Sequence, residues 1–319
     1  MMELREDPDF AFLVGKVRVR ESRLIHPGLF YQLAEIKSWQ EFFSTLSSHY
    51  PGAVGSSPRE VEENLEEEYV QELKELFQLS PDPSLFFPFL WRKEVFNLIT
   101  VYRYFQGFPV SPPSREYLIP LTIYKKVIEE HNLSSLPSPY REWMEESLQE
   151  GEEETLERKI LKESLSLSTP FPLLREFLRQ EIDFYNLRVL WKRWEGEGKE
   201  RFLEGGRISP EEWENISARE EDDALIRILR TGGYEILAEE GWVYLREKRE
   251  DWRMELNFRR LRLKIFKDTL YTPFAPETPL FYLLRKENQL RNIRWLIRGR
   301  TGGLSPEEIK ERLGPFDVS

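Results

Sequence analysis

The sequence predicts an all-α protein made of related helical units. Apolar residues recur at helical spacing, helix-capping steps precede several of these segments, and one helix-and-stop pattern occurs three times, whereas alternation typical of strands is sparse. The chain has 319 residues, of which 40% are apolar and 32% charged. That length and composition permit a large buried core and exclude a disordered chain.

A helix is predicted to begin at Ser57-Pro58-Arg59-Glu60, with the serine as N-cap and proline in the first helical position. One buried apolar stripe follows at four-residue spacing: Val61, Leu65, Tyr69, Leu73 and Phe77. The glutamates on the remaining surface are Glu62, Glu63, Glu66, Glu67 and Glu68. We predict a solvated helix face there rather than a metal site. Residues 258–270 fit both a strand and a helix, and their helical surroundings favour a helix.

Three segments share one pattern: EVFNLITVYRYFQG from Glu94, DFYNLRVLWKRWEG from Asp183 and QLRNIRWLIRGRTG from Gln289. Aligned on their asparagines, they share these positions: Asn97, Asn186 and Asn292; then Arg103, Lys192 and Arg298 six residues later; and Gly107, Gly196 and Gly302 ten residues later. An apolar-Ser-Pro step follows each copy, and Ser209 with Glu212 and Ser305 with Glu308 are expected to form capping boxes.

The pattern predicts a helix, a glycine stop and a newly capped helix, repeated in three units of about 100 residues. Their approximate bounds are 1–115, 116–212 and 213–319. The glycine ten residues after each asparagine is expected to end its helix in the left-handed conformation, Gly302 included. A phosphate-binding loop would need a Gly-Lys-Ser/Thr ending, which is missing. The asparagines are interpreted as structural, bonding backbone or a neighbouring helix end.

No catalytic, cofactor-binding or metal-binding residue is predicted. The chain has no cysteine, and its three histidines, His26, His49 and His131, lack zinc-like spacing. Serine nucleophile elbows and dinucleotide fingerprints are missing too. Glu94 and Asp183 hold equivalent positions, but the third copy has Gln289 there, which suits a hydrogen-bonding role better than acid–base catalysis.

The charge of the chain is uneven. The net charge is −11, yet residues 241–300 hold 15 Lys and Arg against 7 Asp and Glu. Residues 259–267 and 291–300 could contact nucleic acid, but the acidic total favours a protein partner. The candidate partner contacts are Arg103, Lys192, Arg294, Arg298 and Arg300. Because the opening MMELREDPDF lacks the apolar core of a signal peptide and no apolar run spans a membrane, a cytoplasmic location is expected.

Four stretches, in this order and spacing, resemble one family over residues 9–313. They are DFAFLVGKVRVRESRLI, similar to an opening Tyr-Ala-Tyr-x-Asn-Ala-Arg-Val-Arg pattern; FFSTLSSHYPG; FLRQEIDFYNLRVLWKRWEG with FLEGGRIS; and YLLRKENQLRNIRWLIRGRTGGLSPEEIKERL. The family is the C subunit of the A/V-type rotary ATPases, related to the d subunit of the vacuolar proton pump. The chain departs from the opening pattern at Val14 and Gly15.

The resemblance implies three helical units around a pseudo-threefold axis, forming a funnel or socket. It also implies a non-catalytic rotor subunit that receives the central shaft of subunits D and F and rests on the membrane proteolipid ring. Such a protein attaches to the membrane peripherally without entering it. The alternatives are a helical scaffold for another protein complex, a helical nucleic-acid-binding protein, and a hydrolase with dispersed carboxylates.

Overall fold

The computed structural model describes residues 6–50, 52–55, 57–196 and 201–316. The first five residues, part of the opening in which no signal peptide was predicted, lie outside this range. Within it the chain forms α-helices and short 3-10 or π turns and contains no strand, so the predicted all-α class is confirmed. None of its helices has the length and apolar character needed to cross a bilayer.

The helices group into two compact units, residues 1–81 with 221–319 and residues 82–220. This grouping reflects contacts, whereas the three units of the sequence analysis reflect similarity between segments. The threefold division therefore stays a prediction.

The first unit is organised around one long helix, α14. The described helices of this unit are α1 (Ala11–Glu21), α2 (Pro27–Glu35), α3 (Trp39–His49), α4 (Pro58–Leu79), α11 (Asp222–Thr231), α12 (Val243–Lys248), α13 (Trp252–Ile265), α14 (Thr278–Thr301) and α15 (Pro306–Glu311). A π-helical turn, Leu237–Trp242, leads into α12. Helices α1, α2, α4, α13 and α15 all pack against α14. Its polar side chains are therefore enclosed by neighbours, which requires hydrogen-bond and ion-pair partners for them.

Helix α4 begins as predicted, because the Ser57 hydroxyl accepts a hydrogen bond from the Glu60 amide and Pro58 occupies the first turn. Most of the predicted stripe is buried: Val61, Leu65, Tyr69 and Leu73. Phe77 is only half-buried, and Leu76 takes the core position at that end. The ambiguous stretch is helical to Ile265, as predicted, and continues into a 3-10 turn, Lys267–Leu270.

The second unit contains α5 (Phe87–Phe105), α6 (Leu121–Glu130), α7 (Tyr140–Glu150), α8 (Glu154–Leu167), α9 (Pro172–Trp194) and α10 (Pro210–Arg219) among its described residues. Helix α8 packs against α5, α7 and α9. The core between them includes Trp91, whose indole N–H donates to the Tyr140 hydroxyl at 3.0 Å. The capping boxes predicted at Ser209–Glu212 and, in the first unit, Ser305–Glu308 are both confirmed.

Candidate functional site: helix latches and paired charges

The first copy of the repeated pattern fastens a following loop to helix α5. The Asn97 amide donates to the carbonyl of Arg115 at 2.9 Å. Glu94, fully buried on the same face, accepts the backbone N–H groups of Leu118 at 2.6 Å and Ile119 at 3.0 Å. We call this arrangement, an asparagine and the side chain three residues before it holding one loop, a latch. It provides hydrogen-bond partners for loop backbone that would otherwise be buried without any.

The second copy builds the same latch on α9. The Asn186 amide donates to the Leu203 carbonyl at 2.9 Å and accepts from the Leu203 N–H at 2.7 Å. Asp183 accepts the N–H groups of Arg207 at 2.8 Å and Ile208 at 3.2 Å. The accepted amides lie 24 and 25 residues after the carboxylate in both copies. The two loops therefore share spacing as well as chemistry.

The third copy, on α14, uses the same two positions with different partners. Asn292 accepts the N–H of Gly314 at 3.1 Å, and Gln289 donates to the carbonyl of Ile25 at 3.1 Å. A carboxylate could not make the second bond, because a carbonyl only accepts. The glutamine thus allows α14 to hold an early segment of the chain, while Asn292 still holds downstream backbone at Gly314.

The helix ends confirm two of the three predicted glycine stops. Gly107 and Gly196 have φ of 81° and 77° and follow the last turns of α5 and α9. The expectation for Gly302 is wrong: it remains right-handed with φ of −79°, and Gly303 takes φ of 75°. Helix α14 continues one residue further, and the N–H groups of Gly303 and Leu304 then close its last turn on the carbonyls of Arg300 and Gly299.

We expect Gly303→Ala to lower the free energy of unfolding by about 1–2 kcal/mol, because only glycine takes the left-handed conformation without strain. A Cβ at Gly303 would meet no atom within 4 Å, so backbone strain is the whole cost. Gly302→Ala, in right-handed backbone, is the matched control and should cost less. Urea unfolding of both variants measures the difference. A larger loss for Gly302→Ala would contradict the assignment.

The five basic residues predicted as partner contacts all bind groups of this chain. Arg103 forms a two-pronged pair with Glu153 at 2.7 Å, and Lys192 pairs with Glu154 at 2.9 Å. The other three lie on α14: Arg294 pairs with Glu66, Arg298 pairs with Glu62 at 2.9 Å, and Arg300 donates to the carbonyls of Ile36 and Lys37. The guanidinium of Arg300 also lies over the rings of Trp39 and Phe42. A role toward a partner stays a prediction for all five.

The solvated glutamate face predicted on α4 is confirmed only at Glu63 and Glu67, which are exposed. The rest of the face is partly or fully covered. It meets the basic side chains of α14, and Glu66 is only 5% exposed. The pairs are Glu62 with Arg298, Glu66 with Arg294, and both Glu68 and Glu72 with Lys286. Paired carboxylates tolerate burial that isolated ones would not. Sequence periodicity could not find these contacts, because the partners lie more than 200 residues apart.

Two tyrosines donate hydrogen bonds to the carboxylates at the buried end of this set of ion pairs. The Tyr282 hydroxyl donates to Glu72 at 2.7 Å and the Tyr50 hydroxyl to Glu68 at 3.3 Å. Burial, and then the neighbouring carboxylates, raise the pKa of both phenols far above its ordinary value. In the second unit, burial and Glu94 raise the pKa of Tyr124 in the same direction.

These raised pKa values predict loss of stability at alkaline pH. Below pH 10 both states keep the phenols protonated; above it the unfolded chain ionises first, so stability falls as pH rises. We expect up to about 1.4 kcal/mol per pH unit for each buried tyrosine. Urea unfolding from pH 9 to pH 11 should show Tyr282→Phe with a shallower slope than wild type. The exposed Tyr271→Phe is the control, and equal slopes for both variants would contradict the argument.

The described residues contain no group of side chains arranged for catalysis by a bound metal ion. They contain no group of three or more His, Asp or Glu side chains able to hold an ion. His26 caps α2 by accepting the Gly28 N–H at 3.1 Å, and His131 ends α6 with φ of 48°. The acidic position of the repeat holds loops through hydrogen bonds, and its neighbours are backbone amides rather than an open cleft.

Comparison with known proteins shows the family to which the chain belongs. The family model described as ATP synthase (C/AC39) subunit matches residues 13–312. The C subunit of the A-type ATP synthase of Thermococcus kodakarensis is 23% identical over 340 aligned positions, which cover 96% of this chain and 90% of the relative. The protein of the same name from Thermococcus onnurineus is 24% identical over 342 positions, with the same coverage. Since the family model spans nearly the whole chain, the resemblance is confirmed, and the chain belongs to the ATP synthase (C/AC39) subunit family.

Proposed function

We propose that this chain is a non-catalytic rotor subunit of a rotary ATPase. In this role it is a socket that couples the central shaft of subunits D and F to the proteolipid ring. The observation that carries the proposal is the family match over residues 13–312. The chain would lie on the cytoplasmic side and reach the membrane only through the ring. Its work would serve ATP-driven ion transport or ATP synthesis.

A rotor adapter must resist shear, and the contacts within each unit suit that demand. Loops fastened by Glu94 and Asp183 to long helices cannot shift without leaving buried N–H groups unpaired. The buried pairs between α4 and α14 likewise fix the register of those helices. Stiffness of this kind supports a mechanical role.

We further propose that α5, α9 and α14 belong to three related units placed around a pseudo-threefold axis, giving a funnel. The equal spacing of the latches on α5 and α9 supports an internal duplication. The changed partners on α14 fit a third unit that also receives the N-terminal part of the chain.

Among the candidate contact residues, Arg103 and Arg298 are the best placed to meet a partner, since their side chains are 50% and 68% exposed. Arg294 and Arg300 are engaged with Glu66 and with backbone carbonyls. Reversing their charge would test folding rather than docking.

Binding is tested by mixing the purified chain with a D–F shaft complex and, separately, with a proteolipid ring in detergent, followed by size-exclusion chromatography. We expect both to bind. Arg298→Glu and Arg103→Glu should weaken at least one complex, more strongly at low salt, relative to the exposed control Arg59→Glu. If neither shaft nor ring binds, the scaffold alternative replaces the proposal.

Coupling is tested in vesicles that contain the assembled complex. Without this chain, ATP hydrolysis by the catalytic part should continue while ATP-driven ion uptake stops, and adding the chain back should restore uptake. Ion uptake that does not depend on the chain would remove the socket role.

A further inference from the structure

A small, open pocket lies between helices α13 and α14 in the first unit. Three arginines line this pocket, Arg259, Arg262 and Arg291. The other lining residues are Leu263, Leu284, Glu287 and Asn288. Residues facing one another across a seam between packed helices are ordinarily apolar, so this concentration of cations needs a physical explanation.

The Arg259 guanidinium donates hydrogen bonds to neutral acceptors. Arg259 Nη1 donates to the Asn288 side-chain oxygen at 3.1 Å and to the Gly314 carbonyl at 2.8 Å. The Asn288 amide is itself fixed, because its nitrogen donates to the Pro315 carbonyl at 2.5 Å. Arg259 is therefore aimed into the seam without a hydrogen bond to a carboxylate.

Among the residues that line the pocket, three are arginines and one, Glu287, is acidic. Arg262 lies only 9% exposed with its guanidinium 4.5 Å from the centre of the Phe258 ring. Arg291 reaches Glu287 at 3.4 Å. Glu255 and Glu287 are carboxylates that act on Arg259. Burial, followed by repulsion from Arg291 and Arg262, lowers the pKa of Arg259 to about 10.

An anion in the pocket would offset this excess. Guanidinium groups present paired N–H donors that match the oxygen atoms of a phosphate group, and such charge-assisted bonds strengthen as water is excluded. We propose that the pocket between α13 and α14 binds a phosphate group through Arg259, Arg262 and Arg291, with Asn288 positioning Arg259. The site does not depend on the proposed rotor function. Free phosphate and the headgroup of an anionic phospholipid would offer the same chemistry.

The test uses the full chain and sodium phosphate at constant ionic strength, balanced with sodium chloride. We expect a saturable rise in the unfolding temperature of at least about 2 °C. Arg291→Gln should fold normally, since this side chain is 35% exposed, and should weaken the apparent phosphate affinity about tenfold or more. Arg259→Gln should weaken it further where the variant folds.

The control is Arg59→Gln, which removes an exposed arginine of the same unit and should leave the phosphate response unchanged. The proposal is overturned if phosphate gives no saturable rise beyond chloride, or if Arg291→Gln responds as wild type does. Sedimentation with phosphatidic acid vesicles, against phosphatidylcholine vesicles, distinguishes the two sources. Arginine-dependent capture by the former identifies a headgroup; a response to phosphate without capture identifies the free ion.

Discussion

Replacing Glu94 with alanine is expected to lower the free energy of unfolding by about 3–5 kcal/mol, the range for breaking a buried charged network. The Glu94 carboxylate is fully buried and accepts four hydrogen bonds. The donors are the N–H groups of Leu118 and Ile119, the Tyr124 hydroxyl at 2.5 Å and the Asn97 amide at 3.0 Å. Alanine would leave all four without this acceptor inside a packed core. Urea unfolding followed by circular dichroism measures the loss.

The other copies of the latch provide a graded comparison. Asp183→Ala removes the acceptor of two backbone N–H groups and should cost less than Glu94→Ala, about 2–4 kcal/mol. Gln289→Ala removes a single bond to the Ile25 carbonyl and should cost about 1 kcal/mol. Glu129→Ala, an exposed glutamate in the second unit, is the control for lost charge. A loss for Glu94→Ala no greater than that control would contradict the latch.

The latch also shows how far sequence reasoning reaches. Alignment of three segments was enough to select Asn97, Asn186 and Asn292 and to favour hydrogen bonding over acid–base chemistry at Glu94 and Asp183. It could not name the bonded amides, because Leu118 and Arg207 lie in loops without periodicity, 24 residues downstream. Loop backbone becomes predictable only once the helix that holds it is placed.

Sequence patterns could not predict which charged side chains are exposed to solvent. Glu66 was assigned to the solvated face of α4 because it is charged, but Arg294, 228 residues later, covers it. Sequence patterns could not predict the pocket at Arg259 and Arg291 either, because it exists only where α13 packs against α14. Gly302 was misassigned by one residue, since alignment fixes the neighbourhood of a helix end rather than the length of its last turn.

Replacing Lys286 with methionine is expected to destabilise the first unit by about 2–4 kcal/mol, because hydrogen bonds to two charged partners are lost. Lys286 is 4% exposed, and its ammonium group lies 2.8 Å from Glu68 and also pairs with Glu72. Methionine fills much of the same space, so packing changes little and the loss reports on charge. The side chain of Glu68 is 39% exposed and would keep a bond from Tyr50 at 3.3 Å. Glu72, 12% exposed, would keep its contacts with Tyr282 and Arg20 but lose the ammonium group.

A double-mutant cycle separates burial from charge in this prediction. Lys286→Met combined with Glu72→Gln should give a coupling energy above about 1 kcal/mol, because these side chains are only 5% and 12% exposed and the loss of one is costly only while the other remains. The matched cycle, Arg298→Met with Glu62→Gln, joins the same two helices through side chains that are 68% and 21% exposed, and should give at most about 1 kcal/mol. Solvent competes for the second pair and not for the first, so the coupling at Lys286 must be the larger of the two. Equal coupling energies would mean that apolar packing alone holds α4 against α14. The buried charges would then not help to fix the register between the two helices.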